Sequence, residues 1–165
     1  MSTNYAGFWL RFVAYIIDAI IIYVVQSFVF IPLFAMFGVS FASQMSNPEV
    51  MTEAEAIGMI GPIMGMMGAT MILGIIISVA YWSIMEASKL QATVGKLALG
   101  LIVTDAQGNR LNVGQAIIRN LCKIISSMIL FIGYIMAGFT DKKQGLHDMI
   151  ANTLVVKKAS AVAGV

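Results

Sequence analysis

Cysteine and histidine are nearly absent: Cys122 and His147 are the sole examples among 165 residues. A lone cysteine excludes an intramolecular disulfide and offers no cysteine-based metal site, so neither redox chemistry nor a cofactor has a basis here. Charge is scarce too. Only 11% of residues are charged and 59% are hydrophobic, which is too little polar surface to enclose a soluble core. Residues 57–85 contain no charged side chain, and residues 8–37 are interrupted only by Arg11, Asp18, Gln26 and a few small or turn-forming residues. At about 1.5 Å per residue, roughly 20 residues cross a bilayer core, and both stretches exceed that. These absences define an all-α integral membrane protein with two long N-terminal transmembrane helices. The first stretch is too long for a cleaved signal sequence and carries an acid at its centre, so it is expected to stay as a span.

Lysine and arginine are missing from the connection at 38–56, which holds Glu49, Glu53 and Glu55. The following connection carries Lys89, Lys96 and Arg110, with Arg119 and Lys123 beyond it. Cation bias therefore predicts a cytoplasmic N-terminus and second connection, with the acidic loop outside. An amphipathic linker leads to residues 117–139, which are long enough for a third span. A single crossing there would export Lys142, Lys143, Lys157 and Lys158, against the same bias. The alternative is a late helical hairpin turning near 127–133 and returning the tail to the cytoplasm. Two β-branched runs, LGLIVT at 99–104 and TLVVK at 153–157, favour the hairpin if they pair, because pairing holds them on one side of the membrane. A turn is expected at Gln107, Gly108 and Asn109. Residues 1–158 are expected to form one membrane domain and 159–165 a short flexible tail.

Asp18 is the anomaly. A carboxylate this deep in an apolar run is costly unless paired, hydrated or protonated, and intramembrane ionisable groups mark functional sites. Arg11, Tyr15, Asp18, Ile22 and Gln26 recur at three- and four-residue steps, forming a stripe expected to face protein or a wet cavity. Arg11 precedes Asp18 by about 10.5 Å along the helix and leans away from it, so Asp18 needs another partner. Arg119 and Lys123, on one face of the late helix, are the candidates, with Asn120 and Ser127 as support. Two readings stay open: a buried ionic lock that sets helix positions, or a cation or proton site coupled to transport.

Other features read more simply. Gly58, Gly61, Gly65 and Gly68 line one helix face and predict close packing on a neighbouring helix. The methionines around them point to several sides, which fits packing and not a metal site. Lys89 and Lys96 could lie against anionic headgroups, making membrane lipids the expected partners, while nucleic-acid recognition is not indicated. The run TVGKLALG lacks phosphate-loop spacing. His147 and Asp148 are adjacent and have no positioned nucleophile, so catalysis is not predicted; Asp148 is expected to cap a short element and meet Arg11, Lys96 or another cation, with His147 as a group that could tune a proton path.

With these residues in view, the chain resembles the RDD family of small bacterial and archaeal membrane proteins, named for one arginine and two aspartates. Arg11 in GFWLRFVAYIIDAII matches the arginine, Asp18 the first aspartate and Asp148 in GLHDMIANTLVV the second. The intervening TVGKLALGLIVTDAQGNRLNVGQAIIRNL is similar to the family's linking stretch. Asn152 stands where members often carry glycine, and 126–133 lacks the proline often found near the late break. The resemblance implies a prokaryotic cell-membrane location. It also implies a candidate Na⁺ or Li⁺ to H⁺ antiport at Asp18, organised by Arg11 and Asp148, since such a role has been proposed for some members. In so short a chain a pathway would require a homo-oligomer or another membrane protein.

Overall fold

The computed structural model describes residues 4–45, 53–128 and 132–158. Two long helices, α1 (Phe8–Met45) and α2 (Glu53–Ala87), account for the two apolar stretches and extend them at their ends. Their membrane-compatible portions are Phe8–Ser43 and Ile57–Ala87. Pro32 and Pro62 both lie inside these helices. Glu49 and the tail at 159–165 fall outside the described residues.

The chain divides into two compact units, one formed by residues 1–20 and 78–165 and the other by 21–77. In the second unit, Gln26 Nε2 donates to the Gly74 carbonyl at 2.9 Å, and Phe30 lies against Gly74. The expected contacts at Gly58, Gly61, Gly65 and Gly68 are not made among the described residues: a Cβ at any of them would meet nothing within 4 Å.

The first unit holds the remaining elements: α3 (Val94–Ala98), β1 (Leu101–Asp105), α4 (Val113–Met128), α5 (Ile132–Ile135) with a 3-10 turn at Met136–Gly138, α6 (Leu146–Ile150) and β2 (Thr153–Lys157). The two strand-like runs do pair, antiparallel, with Leu101 opposite Lys157 and Asp105 opposite Thr153. Side chains alternate between two small cores. Leu101, Val103 and Val155 pack with Ala6, Leu111 and Ala116, whereas Ile102, Leu154 and Val156 pack with Ala92. The N-terminal segment joins this assembly, since Ala6 N donates to Val155 O at 2.9 Å and Lys157 N to Asn4 O at 3.1 Å. The turn after β1 is where the sequence put it: Asp105 Oδ1 accepts the N–H groups of Gln107 and Asn109, and Gly108 has φ +87°.

The late segment is bent: residues 113–127 and 132–138 form two helices at 120° to one another, the geometry of a broken span or of a re-entrant loop, and residues 129–131 between them lie outside the described residues. Asn112 and Gln115 start α4 with a reciprocal capping box, Gln115 N donating to Asn112 Oδ1 at 2.7 Å and Asn112 N to Gln115 Oε1 at 3.3 Å. Asn152 adopts φ +51°, a left-handed conformation that asparagine tolerates better than most residues.

Helix α4 is inside out. Arg119, Asn120 and Ser126 are buried, while Ile117, Ile118, Leu121 and Ile125 are exposed. Polar groups turned inward and apolar groups outward suit a helix in contact with lipid, not water.

Candidate functional site

Asp18 does not meet Arg119 or Lys123. Its carboxylate accepts three hydrogen bonds, from Tyr81 OH at 3.0 Å, from Gly95 N at 2.8 Å and from the Thr93 hydroxyl. Thr93 is the residue immediately before α3, and Gly95 N is one of the donors that a helix start leaves without an intrahelical partner. Asp18 therefore caps α3 from a distant helix, a favourable place for negative charge. The TVGK run is the receptor for that acid. A Cβ at Gly95 would lie 2.1 Å from the Ala14 carbonyl oxygen and 3.0 Å from Asp18 Cγ, so only glycine lets the backbone come this close. The same approach explains a difference from the expected stripe. Ala14 is fully buried beside Asp18, whereas Tyr15 is 48% exposed.

Arg119 meets a different acid, one that sequence reasoning missed. Glu86 closes α2 immediately beyond the charge-free stretch and is completely buried. Arg119 Nη1 lies 2.6 Å from Glu86 Oε1, and Arg119 Nη2 lies 2.7 Å from Asp148 Oδ1, so one guanidinium bridges two carboxylates. Lys96 pairs with Glu86 and Arg11 with Asp148. Lys123 Nζ stands 3.6 Å from Glu86 Oε1 and 4.9 Å from the Trp82 ring centroid, and it donates to Asn120. Asn120 Nδ2 in turn donates to Glu86 Oε2 at 3.1 Å. The legible signal was an acid ending a long apolar helix, with an excess of cations downstream to neutralise it.

Asp148 has both roles anticipated for it. Its Oδ2 accepts Gly145 N–H at 3.1 Å at the start of α6, and its carboxylate meets Arg11 and Arg119. Burial alone would raise its pKa, but the fields of Arg119 and Arg11 outweigh that and hold it well below the usual carboxylate range. For Lys96 burial wins and pushes the ammonium down, against the pull of Glu86.

Ser126, His147 and Asp148 superficially suggest a hydrolytic triad. Ser126 Oγ is 3.5 Å from His147 Nδ1, and His147 Nε2 is 3.5 Å from Asp148 Oδ1, both at the outer limit of hydrogen bonding. Ser126 already donates to Cys122 O at 3.0 Å, and a Cβ on Gly133 would come within 2.7 Å of it. Burial drives His147 down to about 3, so its ring is neutral, tilted against Tyr134 with ring centroids 4.9 Å apart.

Of the arginine and two aspartates, Arg11 pairs with Asp148 while Asp18 is held separately by Tyr81, Thr93 and Gly95, and the RDD family model matches residues 5–152. The chain belongs to the RDD family. It is 44% identical over 153 residues to "Uncharacterized protein YxaI" of Bacillus subtilis (strain 168), covering 93% of this chain and 97% of that protein. It is 29% identical over 159 residues to "Uncharacterized membrane protein YteJ" of the same organism, covering 94% and 83%. No solved structure matches the chain. This RDD protein is a multi-pass membrane protein. Among its described residues no group of three or more His, Cys, Asp and Glu side chains is arranged to hold a metal ion.

Proposed function

We propose that this RDD protein is a structural or accessory membrane protein, and that its namesake residues lock helix ends together instead of carrying an ion. One observation supports this above all: each buried acid is already saturated. Asp18 has three donors, Glu86 has cations from two elements and Asp148 is shared by two guanidiniums. Desolvated carboxylates are tolerable when their lone pairs are filled this completely. An antiport site would instead need a carboxylate that can exchange partners with Na⁺, Li⁺ or H⁺.

In this reading residues 1–158 are the working membrane domain and 159–165 its tail. The N-terminus, the sheet and the C-terminus lie in the cytoplasm and the 38–56 connection outside, as the cation bias favours. The open glycine face of α2, at Gly58, Gly61, Gly65 and Gly68, is the assembly surface for a second copy or another membrane protein.

The test is reconstitution of the full chain into proteoliposomes, with Na⁺, Li⁺ and H⁺ exchange measured beside thermal stability and oligomeric state. Asp18→Asn is expected to lower stability, and no exchange above empty liposomes is expected from either protein. Exchange that disappears in a folded, assembled Asp18→Asn protein would overturn the lock.

A further inference from the structure

The ionic cluster borders a cavity of about 340 Å³ whose walls include Arg11, Lys96, Arg119, Lys123 and the aromatic rings of Phe12 and Trp82. A helix lock leaves one feature of it unexplained: the cations outnumber the acids. Arg11, Lys96, Arg119 and Lys123 face only Asp18, Glu86 and Asp148, and excess positive charge in a low-dielectric cavity favours an anion.

The remaining walls indicate what kind of anion. Phe12 and Ile135, each 44% exposed, form a rim open to the apolar surroundings of the helices. Trp9 is 74% exposed and packs edge-on to Phe8 and Phe12, in the first turns of α1, where aromatic side chains anchor at the headgroup level. An inorganic anion would use the cationic floor and leave this apolar rim without purpose.

We propose that the cavity binds the phosphate of an anionic phospholipid, with Arg11 and Lys123 on its cationic floor supplying the balancing charge, and the acyl region leaving past Phe12 and Ile135. The shared chemistry is a phosphate oxyanion; the source is the membrane. The lipid would complete the cluster at the ends of α1 and α4, so it acts as a fixed component of the fold.

Native mass spectrometry of the full chain, exchanged from detergent into nanodiscs of phosphatidylglycerol or of phosphatidylcholine, tests this. One phosphatidylglycerol per chain should survive release, phosphatidylcholine should not, and inorganic phosphate should not displace the bound lipid. Lys123→Gln should weaken retention by at least tenfold. Ser127→Phe, which fills the cavity from its wall without removing a charge, should do the same. If either variant fails to fold, thermal melting of the unaltered chain still decides: a saturable rise with phosphatidylglycerol at one equivalent is expected. A rise that merely follows total anionic lipid, or retention unchanged in both folded variants, would overturn the proposal. Equal stabilisation by inorganic phosphate would overturn the membrane as the source. Ion exchange is irrelevant to these readouts, so the outcome is independent of the lock.

Discussion

The backbone N–H of Gly95 donates to Asp18 Oδ1 at 2.8 Å across a sequence separation of 77 residues. This contact ties α3 to α1 and gives the buried acid a helix start as its partner in place of a cation. It depends on an absent side chain, because a Cβ at Gly95 would sit 2.1 Å from Ala14 O. Gly95→Ala should therefore destabilise the protein by about 3 kcal/mol, at the upper end of ordinary overpacking. Gly65→Ala, in open space, should change stability within the chain by less than about 0.5 kcal/mol. Melting in detergent compares the two, and equal melting temperatures would show that the close approach is not made.

Arg119 is the bridge of the cluster. Removing it leaves Glu86 and Asp148 each short of a fully buried partner, so Arg119→Met should cost about 3–5 kcal/mol. Arg119→Lys keeps the charge but not the planar fork that reaches two acids, and should recover only part of that loss. A double-mutant cycle with Glu86→Gln should show strong coupling. Additive effects would mean that the two side chains do not interact.

Acid should destabilise the protein through His147 before it does so through Asp148. The histidine's pKa falls from 6.5 to about 3 on burial, so the unfolded chain takes up a proton first. Stability tied to His147 is full above about pH 6.5 and is lost as pH falls toward 3. The Asp148 contribution is full above its ordinary value of 3.8 and declines only below it, as pH falls toward its depressed folded value. Melting temperatures between pH 7 and pH 4 should decline, and His147→Phe should flatten that decline. An unchanged slope in the variant would assign it to other groups.

Paired strands cannot lie on opposite sides of a membrane. In a Cys122→Ala background, single cysteines at Gln107 and Lys158 should react with a membrane-impermeant maleimide from one and the same side. Labelling should require access from the cytoplasm if cation bias sets the orientation. Opposite sidedness for the two positions would contradict the pairing of β1 with β2.

A single glycine-face substitution probes assembly. Gly61→Leu places a bulky group on an otherwise open surface of α2, so it should leave melting of the monomer nearly unchanged while shifting any oligomer toward monomer in size-exclusion chromatography with light scattering. An oligomer unaffected by Gly61→Leu and by Gly65→Leu would place its contacts elsewhere.

Local regularities in the chain determined much of this architecture. Two spans followed from runs of apolar residues and the strand pair from β-branched runs. The spans and strands rest on composition or periodicity over a short window, which burial in lipid imposes directly. Arg11 was anticipated for Asp148 only as one of several cations, Lys96 among them.

Partner choice was left to the tertiary structure. Asp18 lies 63 residues from Tyr81 and 77 from Gly95, and no periodicity relates positions so far apart. Arg119 was assigned to Asp18 by charge alone, yet it turns to Glu86 and Asp148, because a backbone N–H and two hydroxyls already fill the Asp18 carboxylate. Glu86 ends a helix whose apolar length conceals it, and only packing shows that it is fully buried. The glycine face meets no neighbour among the described residues, since a pattern on one helix names no partner. Charge and hydropathy thus placed the polar groups within the membrane protein; which of them touch is decided by where the folded backbone brings donors and acceptors within hydrogen-bonding reach.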